Sequence, residues 1–379
     1  MTVVEANGSG VTIEGIRAAA FTIPTDQPES DGTLSWDRTT LVVVEISAAG
    51  HRGLGYTYSA AGTVELIVNQ LAPVLRAHDA MDIGCIWHAA KARLRNLGHR
   101  GIAAMAVSAV DVALWDLKAR LLGLSVGELI GRHRQRVPVY GSGGFTSYSD
   151  ETLTRQFSGW REEGITRFKM KVGRDPGRDL DRVRVARRAI GRDAELFVDA
   201  NSAYTRNQAR TSVERFAEAA DICWLEEPLA PDDLRGLWFL REHMPAGVEI
   251  AEGEYGYELD DFRRLLEADA ADVVMPDATR CGGVTGFLKV AACCEAAHKP
   301  LSAHCAPALH ATLGALVPGV RHIEYFHDHV RIEQMLFRGT PRLIEGTLEI
   351  PADQPGFGWE FQWDAAERFR EQEEHDDHA

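Results

Sequence analysis

The chain has 379 residues, 45% hydrophobic and 26% charged, and its 41 Lys and Arg stand against 56 Asp and Glu for a formal charge of −15. These proportions exclude a disordered, collagenous or coiled-coil chain and allow a large buried core. The acidic balance argues against nucleic acid as a partner, because a phosphate backbone is bound by clustered cations; a local anion site stays compatible with it.

The opening segment, MTVVEANGSG, has no basic stretch followed by an apolar run, so no secretory signal is expected there. No apolar run approaches the roughly 18 residues of a membrane span, so no membrane partner is expected. Cys85, Cys223, Cys281, Cys293, Cys294 and Cys305 form no CxxC pair and are too sparse for a disulfide scaffold. A reducing, cytoplasmic location is therefore expected. Residues 25–35 are polar and turn-rich. Residues 41–46 (LVVVEI) predict a strand from their β-branched content. Residues 103–122 are apolar nearly all round and predict a buried helix, with Asp111 and Asp116 capping it or pairing with basic groups. Strands before helices predict an α+β unit over residues 1–130.

From Val137 the pattern changes to short β-rich runs between amphipathic stretches. Strands are predicted at 137–140, 166–171, 195–199, 222–226, 248–252, 272–276, 300–304 and 321–325. Helical stripes fill the gaps, for example at 179–190, 233–243 and 259–268. Eight strands alternating with helices predict parallel βαβ units closed into a TIM-type α/β barrel over residues 131–340. The doubly wound alternative lacks a glycine-rich phosphate loop after its first strand. Residues 341–379 end in a charged run, EQEEHDDHA, expected to be a solvated, frayed end.

Ionisable residues recur at the ends of these strands. The steps from Lys171 through Asp199, Glu226, Glu254, Asp277 and His304 to Glu324 are 28, 27, 28, 23, 27 and 20 residues, one βα unit each. Such positions converge on one mouth of a barrel. Asp199, Glu226 and Glu254 come from three adjacent strands, and three carboxylates without Cys or His suit a hard cation, Mg²⁺ or Mn²⁺. Glu227 and Glu252 compete for these roles, and spacing does not decide between them. Lys169 and Lys171 are two apart on one strand, so both face the interior while Phe168 and Met170 face the helices. Two adjacent ammonium groups depress each other's pKa, which would suit one of them to act as a base. Asp277 and His304 end neighbouring strands, where the Asp can fix the imidazole tautomer and leave the other nitrogen for acid–base work. His298, His310, His322, His327 and His329 are read as structural, though His327 and His329 follow the last strand and lie within reach of the mouth. No GxSxG elbow supports serine hydrolase chemistry.

Taken together, these residues resemble the enolase superfamily, specifically its mandelate racemase subgroup. KMK at 169–171 resembles the subgroup's KxK, VDAN at 198–201 its DxN and WLEEP at 224–228 its fourth-strand motif. AEGE at 251–254 matches its fifth-strand GE, MPDATRCGGVTGF at 275–287 its sixth-strand signature, SAH at 302–304 its dyad histidine and IEYF at 323–326 its last-strand carboxylate. The helix AVDVALWDLKARLLG at 109–123 resembles the one that precedes the barrel. The resemblance implies a (β/α)7β barrel with an N-terminal α+β capping domain, to which residues past about 340 return. It prefers Glu226 and Glu254 as metal ligands beside Asp199. It makes Lys169, Lys171, Asp277, His304 and Glu324 the catalytic set, with Glu324 bonding the substrate carboxylate. Asn201, Tyr140 and Tyr58 are the candidate substrate-binding residues, and residues 23–36 and 50–59 the loops that close the mouth.

The implied chemistry is metal-dependent removal of the proton α to the carboxylate of a small hydroxy or sugar acid, through an ene-diolate. Loss of a β-hydroxyl would make the enzyme an acid-sugar dehydratase giving a 2-keto-3-deoxy acid. Reprotonation on the other face would make it a racemase or epimerase. A catalytically retired, ligand-binding paralogue is the remaining alternative. Asp277, where the muconate-lactonising and dipeptide-epimerising relatives carry lysine, disfavours those reactions. The family also implies a homo-oligomer.

Overall fold

In the computed structural model, residues 10–351 and 353–377 are described. The N-terminal strands β1 (Gly15–Ser30), β2 (Ser35–Ala48) and β3 (His51–Tyr58) form an antiparallel sheet, joined at the β1 edge by Arg370–Asp377. Alternation divides β1 and β2 between two cores. Ala18, Ala20, Val42, Val44 and Ile46 pack with the N-terminal helices. Ala19, Phe21, Ile23, Leu41 and Val43 pack with the barrel. The continuous apolar run at 41–44 therefore reflects burial on both faces.

The Ile102–Leu121 helix lies directly on β3. A Cβ on Gly55 would stand 2.1 Å from the Ala109 carbonyl oxygen, so the backbones approach too closely for any side chain. Asp116 stitches three segments: it accepts from Leu54 N at 2.9 Å, Phe357 N at 2.7 Å and Arg120 Nε at 2.7 Å. Asp111 accepts from Thr285 N at 2.9 Å and Thr285 Oγ1 at 2.6 Å, which ties the same helix to the barrel.

Eight parallel strands make the barrel: β4 (Arg136–Gly143), β5 (Arg167–Lys171), β6 (Glu195–Asp199), β7 (Ile222–Glu226), β8 (Glu249–Glu252), β9 (Val273–Val274), β10 (Leu301–Ala303) and β11 (Val320–Phe326). Pairing of Ile323–Phe326 with Val139–Ser142 closes it. Helices alternate with the strands, and the His327–Leu336 helix follows the eighth. Side-chain caps start several of them: Ser149 accepts from Thr152 N, and Thr205 and Gln208 form a capping box. Tyr140, Phe197, Trp224, Ala251, Val273 and Met275 fill the barrel as a floor beneath the strand ends. No helix among the described residues is long and apolar enough to cross a membrane, and the cysteines are free.

Four local expectations change. Residues 25–30 belong to β1, across a register shift between Pro24 and Glu29, after which Glu29 and Ser30 pair with Trp36 and Ser35 of β2. Most of 50–59 is β3 rather than a loop, held between β2 and the Ile102–Leu121 helix. The charged tail is a strand as far as Asp377, paired with β1 and carrying an Arg17–Glu373 ion pair at 2.6 Å; His378 and Ala379 lie outside the described residues. Part of 341–379 stays with the barrel: Thr347–Glu349 takes the edge of β4 at Arg136–Pro138, below the stretch that β11 covers.

Gly55→Ala is expected to lower stability by about 1–3 kcal/mol or more through overpacking. The denaturant midpoint checks it, and an unchanged midpoint would mean that the helix does not rest on β3 as described.

Candidate active site

Strand alternation sends Lys169 and Lys171 inward on β5, while Phe168 and Met170 join the outer core. Asp199 and Glu226 end β6 and β7, Glu254 follows β8, Asp277 follows β9, His304 follows β10 and Glu324 lies in β11. Lys171, Asn201, Glu254, Asp277, His304 and Glu324 line one cavity of about 310 Å³ at the C-terminal end of the barrel, and Asp31 just after β1, Trp36 on β2 and Tyr58 on β3 border it.

Lys169 is 0% exposed. Its Nζ pairs with Glu226, stands 2.7 Å from Glu324 Oε1 and 3.5 Å from Asp199 Oδ2. Lys171 Nζ is 2.5 Å from Asp199 Oδ2. Burial pulls both ammonium groups down, but Glu226 and Glu324 for Lys169, and Asp199 for Lys171, outweigh it and hold both above the ordinary lysine range. The expected mutual depression is thus overruled. Lys169 does lower Lys171, by less than Asp199 raises it.

Asp199, Glu226 and Glu254 each offer a carboxylate oxygen, and these lie within 4.8 Å of one another, all buried. Glu227 and Glu252 are buried beside them; burial first, then Glu254, pushes Glu227 far up and Glu252 to about 8. Five acids crowd this wall, while the lysines engage only Asp199, Glu226 and Glu324. This all-oxygen donor set, with negative charge in excess, fits a hard divalent cation held by Asp199, Glu226 and Glu254.

On the opposite wall, His304 Nδ1 is 2.9 Å from Asp277 Oδ2. Asp277 Oδ1 accepts from Thr279 N and Thr279 Oγ1, each at 2.7 Å. Burial pushes the Asp277 carboxyl up, yet His304 and then Arg280 hold it below the ordinary carboxylate range. His304 Nε2 is left toward the mouth, 3.2 Å from Glu254 Oε2, 3.2 Å from Cys305 Sγ and 3.7 Å from Glu324 Oε2. Glu324 accepts from Ser142 Oγ at 2.6 Å and Cys305 N at 2.8 Å, and against the upward push of burial Lys169 keeps it ionised.

The three substrate-binding candidates part company. Asn201 and Tyr58 border the cavity, and the Tyr58 ring stacks on His329 at 3.4 Å. Tyr140 is 0% exposed in the barrel floor, enclosed by Phe197, Trp224 and His322, with Lys169 Nζ 5.3 Å above its ring. It supports Lys169 from below rather than facing a substrate, because its level of the barrel is already filled. His329 reaches the cavity and His327 instead pairs with Asp26. Cys305, Thr279 and Arg280 are site neighbours that the sequence did not single out as site residues; Arg280 lies 3.5 Å from both Glu254 Oε1 and Asp277 Oδ2. Its signal was the i+3 spacing from Asp277. A lone cysteine carries none.

The chain is similar to known proteins over most of its length. Residues 18–131 match the family described as mandelate racemase / muconate lactonizing enzyme, N-terminal domain, and residues 152–365 the one described as enolase C-terminal domain-like. A mandelate racemase/muconate lactonizing enzyme-like protein from Rubrobacter xylanophilus has a TM-score of 0.93 at 48% identity, over 95% of this chain and 100% of that one. The 3,6-anhydro-alpha-L-galactonate cycloisomerase of Streptomyces coelicolor is 34% identical, over 91% of this chain and 96% of its own. The L-talarate/galactarate dehydratase of Salmonella typhimurium, in a structure liganded with Mg and L-lyxarohydroxamate, has a TM-score of 0.90 at 28% identity, over 100% of this chain and 98% of its own.

Asp277→Asn keeps the shape of the dyad and removes the charge that orients His304. Turnover is expected to fall about 100- to 10,000-fold, with the melting temperature nearly unchanged. Turnover at the wild-type rate would show that His304 needs no such partner.

Proposed function

The chain belongs to the mandelate racemase / muconate lactonizing enzyme family, and from that premise we propose that it is an acid-sugar dehydratase. The reaction removes the proton α to the substrate carboxylate and the hydroxyl at the β-carbon, and yields a 2-keto-3-deoxy acid. The observation that carries this reading is the placement of Lys171 and the Asp277–His304 dyad around one polar cavity, with three buried carboxylates and Lys169 beside them.

Mg²⁺, bound by Asp199, Glu226 and Glu254, would supply positive charge to the substrate carboxylate as the α-carbon loses its proton. Lys169, fixed between Glu226 and Glu324, adds a second positive charge that needs no reorientation during the reaction. A cation on Asp199 would offset the charge that holds Lys171 protonated; Lys171 in its neutral form then takes the α-proton, and the C–H electron pair passes into the carboxylate as an ene-diolate. His304, protonated and held by Asp277, gives its proton to the β-hydroxyl, which leaves as water while the C–O pair departs with it. The enol that remains tautomerises to the keto acid. Asn201 offers hydrogen bonds to a polyol tail, and the Tyr58 ring borders the space that tail would fill.

Magnesium in the Salmonella typhimurium structure supports the choice of ion. The cycloisomerase relative favours an isomerase as the second reading. In that reading this chain would remove the same α-proton, and the product would keep the composition of the substrate.

Metal-depleted enzyme is expected to be inactive and to regain activity with Mg²⁺. In D₂O with Mg²⁺ and a panel of mono- and diacid sugars, keto acid should form from one stereochemical series. Lys171→Ala and His304→Asn should each abolish it. Deuterium at the α-carbon with a rearranged or inverted product and no keto acid would move the assignment to an isomerase. Normal turnover in both variants would overturn the two-base scheme.

A further inference from the structure

A second cluster of ligating groups lies away from the three-carboxylate wall. Asp26 and Glu29 sit on β1, and His327 opens the helix after β11. Each offers one ligand atom, and these lie within 4.8 Å of one another. His327 Nε2 is 3.0 Å from Asp26 Oδ2.

Glu29 makes this more than a surface ion pair. It is 1% exposed. Its Oε2 accepts from Trp36 Nε1 at 2.8 Å, while its Oε1 is buried with no hydrogen-bond partner among the described residues. Burial first, then the Asp328 charge, pushes the Glu29 carboxyl up to about 8. The nearby Arg331 guanidinium lowers it, but by less than burial and Asp328 raise it. Arg331 is 2.6 Å from Asp328 Oδ1 and donates to the Pro24 carbonyl at 2.6 Å. A buried carboxylate oxygen without a donor is costly unless a proton or a cation meets it.

We propose that Asp26, Glu29 and His327 bind a borderline first-row divalent cation of the Zn²⁺ class, separate from the three-carboxylate site, and that this ion ties β1 to the end of the barrel. The ligand chemistry distinguishes the two sites. One imidazole with two carboxylates suits Zn²⁺ or its neighbours, whereas Mg²⁺ takes oxygen ligands and keeps its waters. The segment that would be held carries Asp31 and Trp36, which border the active-site cavity.

The test is calorimetric titration of Zn²⁺ into the full chain, first metal-depleted and then saturated with millimolar Mg²⁺. Wild-type protein should bind one equivalent of Zn²⁺ that Mg²⁺ does not block. His327→Gln and Glu29→Gln should each weaken it about 10- to 100-fold. Asp199→Asn, and a variant with His375→Gln and His378→Gln in the tail, should keep it. The proposal fails if no equivalent binds beyond the one lost in Asp199→Asn. It fails equally if the equivalent survives both His327→Gln and Glu29→Gln. His327 is 24% exposed, so His327→Gln folds and decides the matter even if Glu29→Gln does not.

Discussion

Negative charge confined at the end of the barrel is the constraint on which the rest of the site depends. Asp199, Glu226, Glu227, Glu252, Glu254 and Glu324 are all buried at one rim. Buried carboxylates so close cannot all ionise without cations among them. Two lysines two residues apart on β5 enter the group because strand alternation points both inward. Arg280 and His304 meet it from the other wall. The remaining excess gives the three-carboxylate wall its demand for a divalent ion. Closure of the barrel is what enforces this crowding: once β11 pairs with β4, no strand end can move outward to separate the charges.

The N-terminal sheet solves a related problem of coverage. A rim loaded with charge must admit a small anion and otherwise keep water out. The sheet does so by belonging to two cores at once. Alternate residues of β1 and β2 pack on the N-terminal helices and on the barrel. The sheet edge that borders the cavity is thereby part of the hydrophobic interior and no loose flap. Tyr56 illustrates the coupling: it lies on β3 and donates from its hydroxyl to Glu333 Oε1 at 2.6 Å, on the helix after β11. Precise placement of Asp31, Trp36 and Tyr58 follows from packing on both faces.

The barrel, and the gathering of ionisable residues at its end, were legible in the sequence because their signals are local and periodic. One ionisable residue per βα unit, and KMK with its period of two, can be read within a few tens of residues. What escaped depends on partners far away in the chain. Residues 25–30 look like a turn until β2 provides an edge for Glu29 and Ser30. The acidic tail looks solvated until Arg17 meets Glu373 across a separation of 356 residues. Asp26 and His327 are 301 residues apart, and nothing near either one announces the other. Tyr140 was misjudged for a different reason. Alternation gives the direction of a side chain in a barrel but not its level, and the level was already filled by Phe197 and Trp224. Both lysines stand above the ordinary range because carboxylates on neighbouring strands, invisible to the local KMK pattern, outweigh burial and the adjacent cation.

The strand Arg370–Asp377 also sets a timetable. β1 leaves the ribosome before the partner on one of its edges, which follows some 356 residues later. At roughly 5–20 residues per second, that edge stays open for a time on the order of tens of seconds. During this interval every barrel strand emerges, so the barrel can close before the sheet above it is complete. An open edge invites pairing with other chains. Glu371, Glu373, Glu374 and Asp376 on the late strand, with Arg17 on the waiting one, make the rightful partner recognisable by charge. Nascent chains that stop short of this strand would carry every barrel strand under an unfinished roof, with that edge of β1 unpaired.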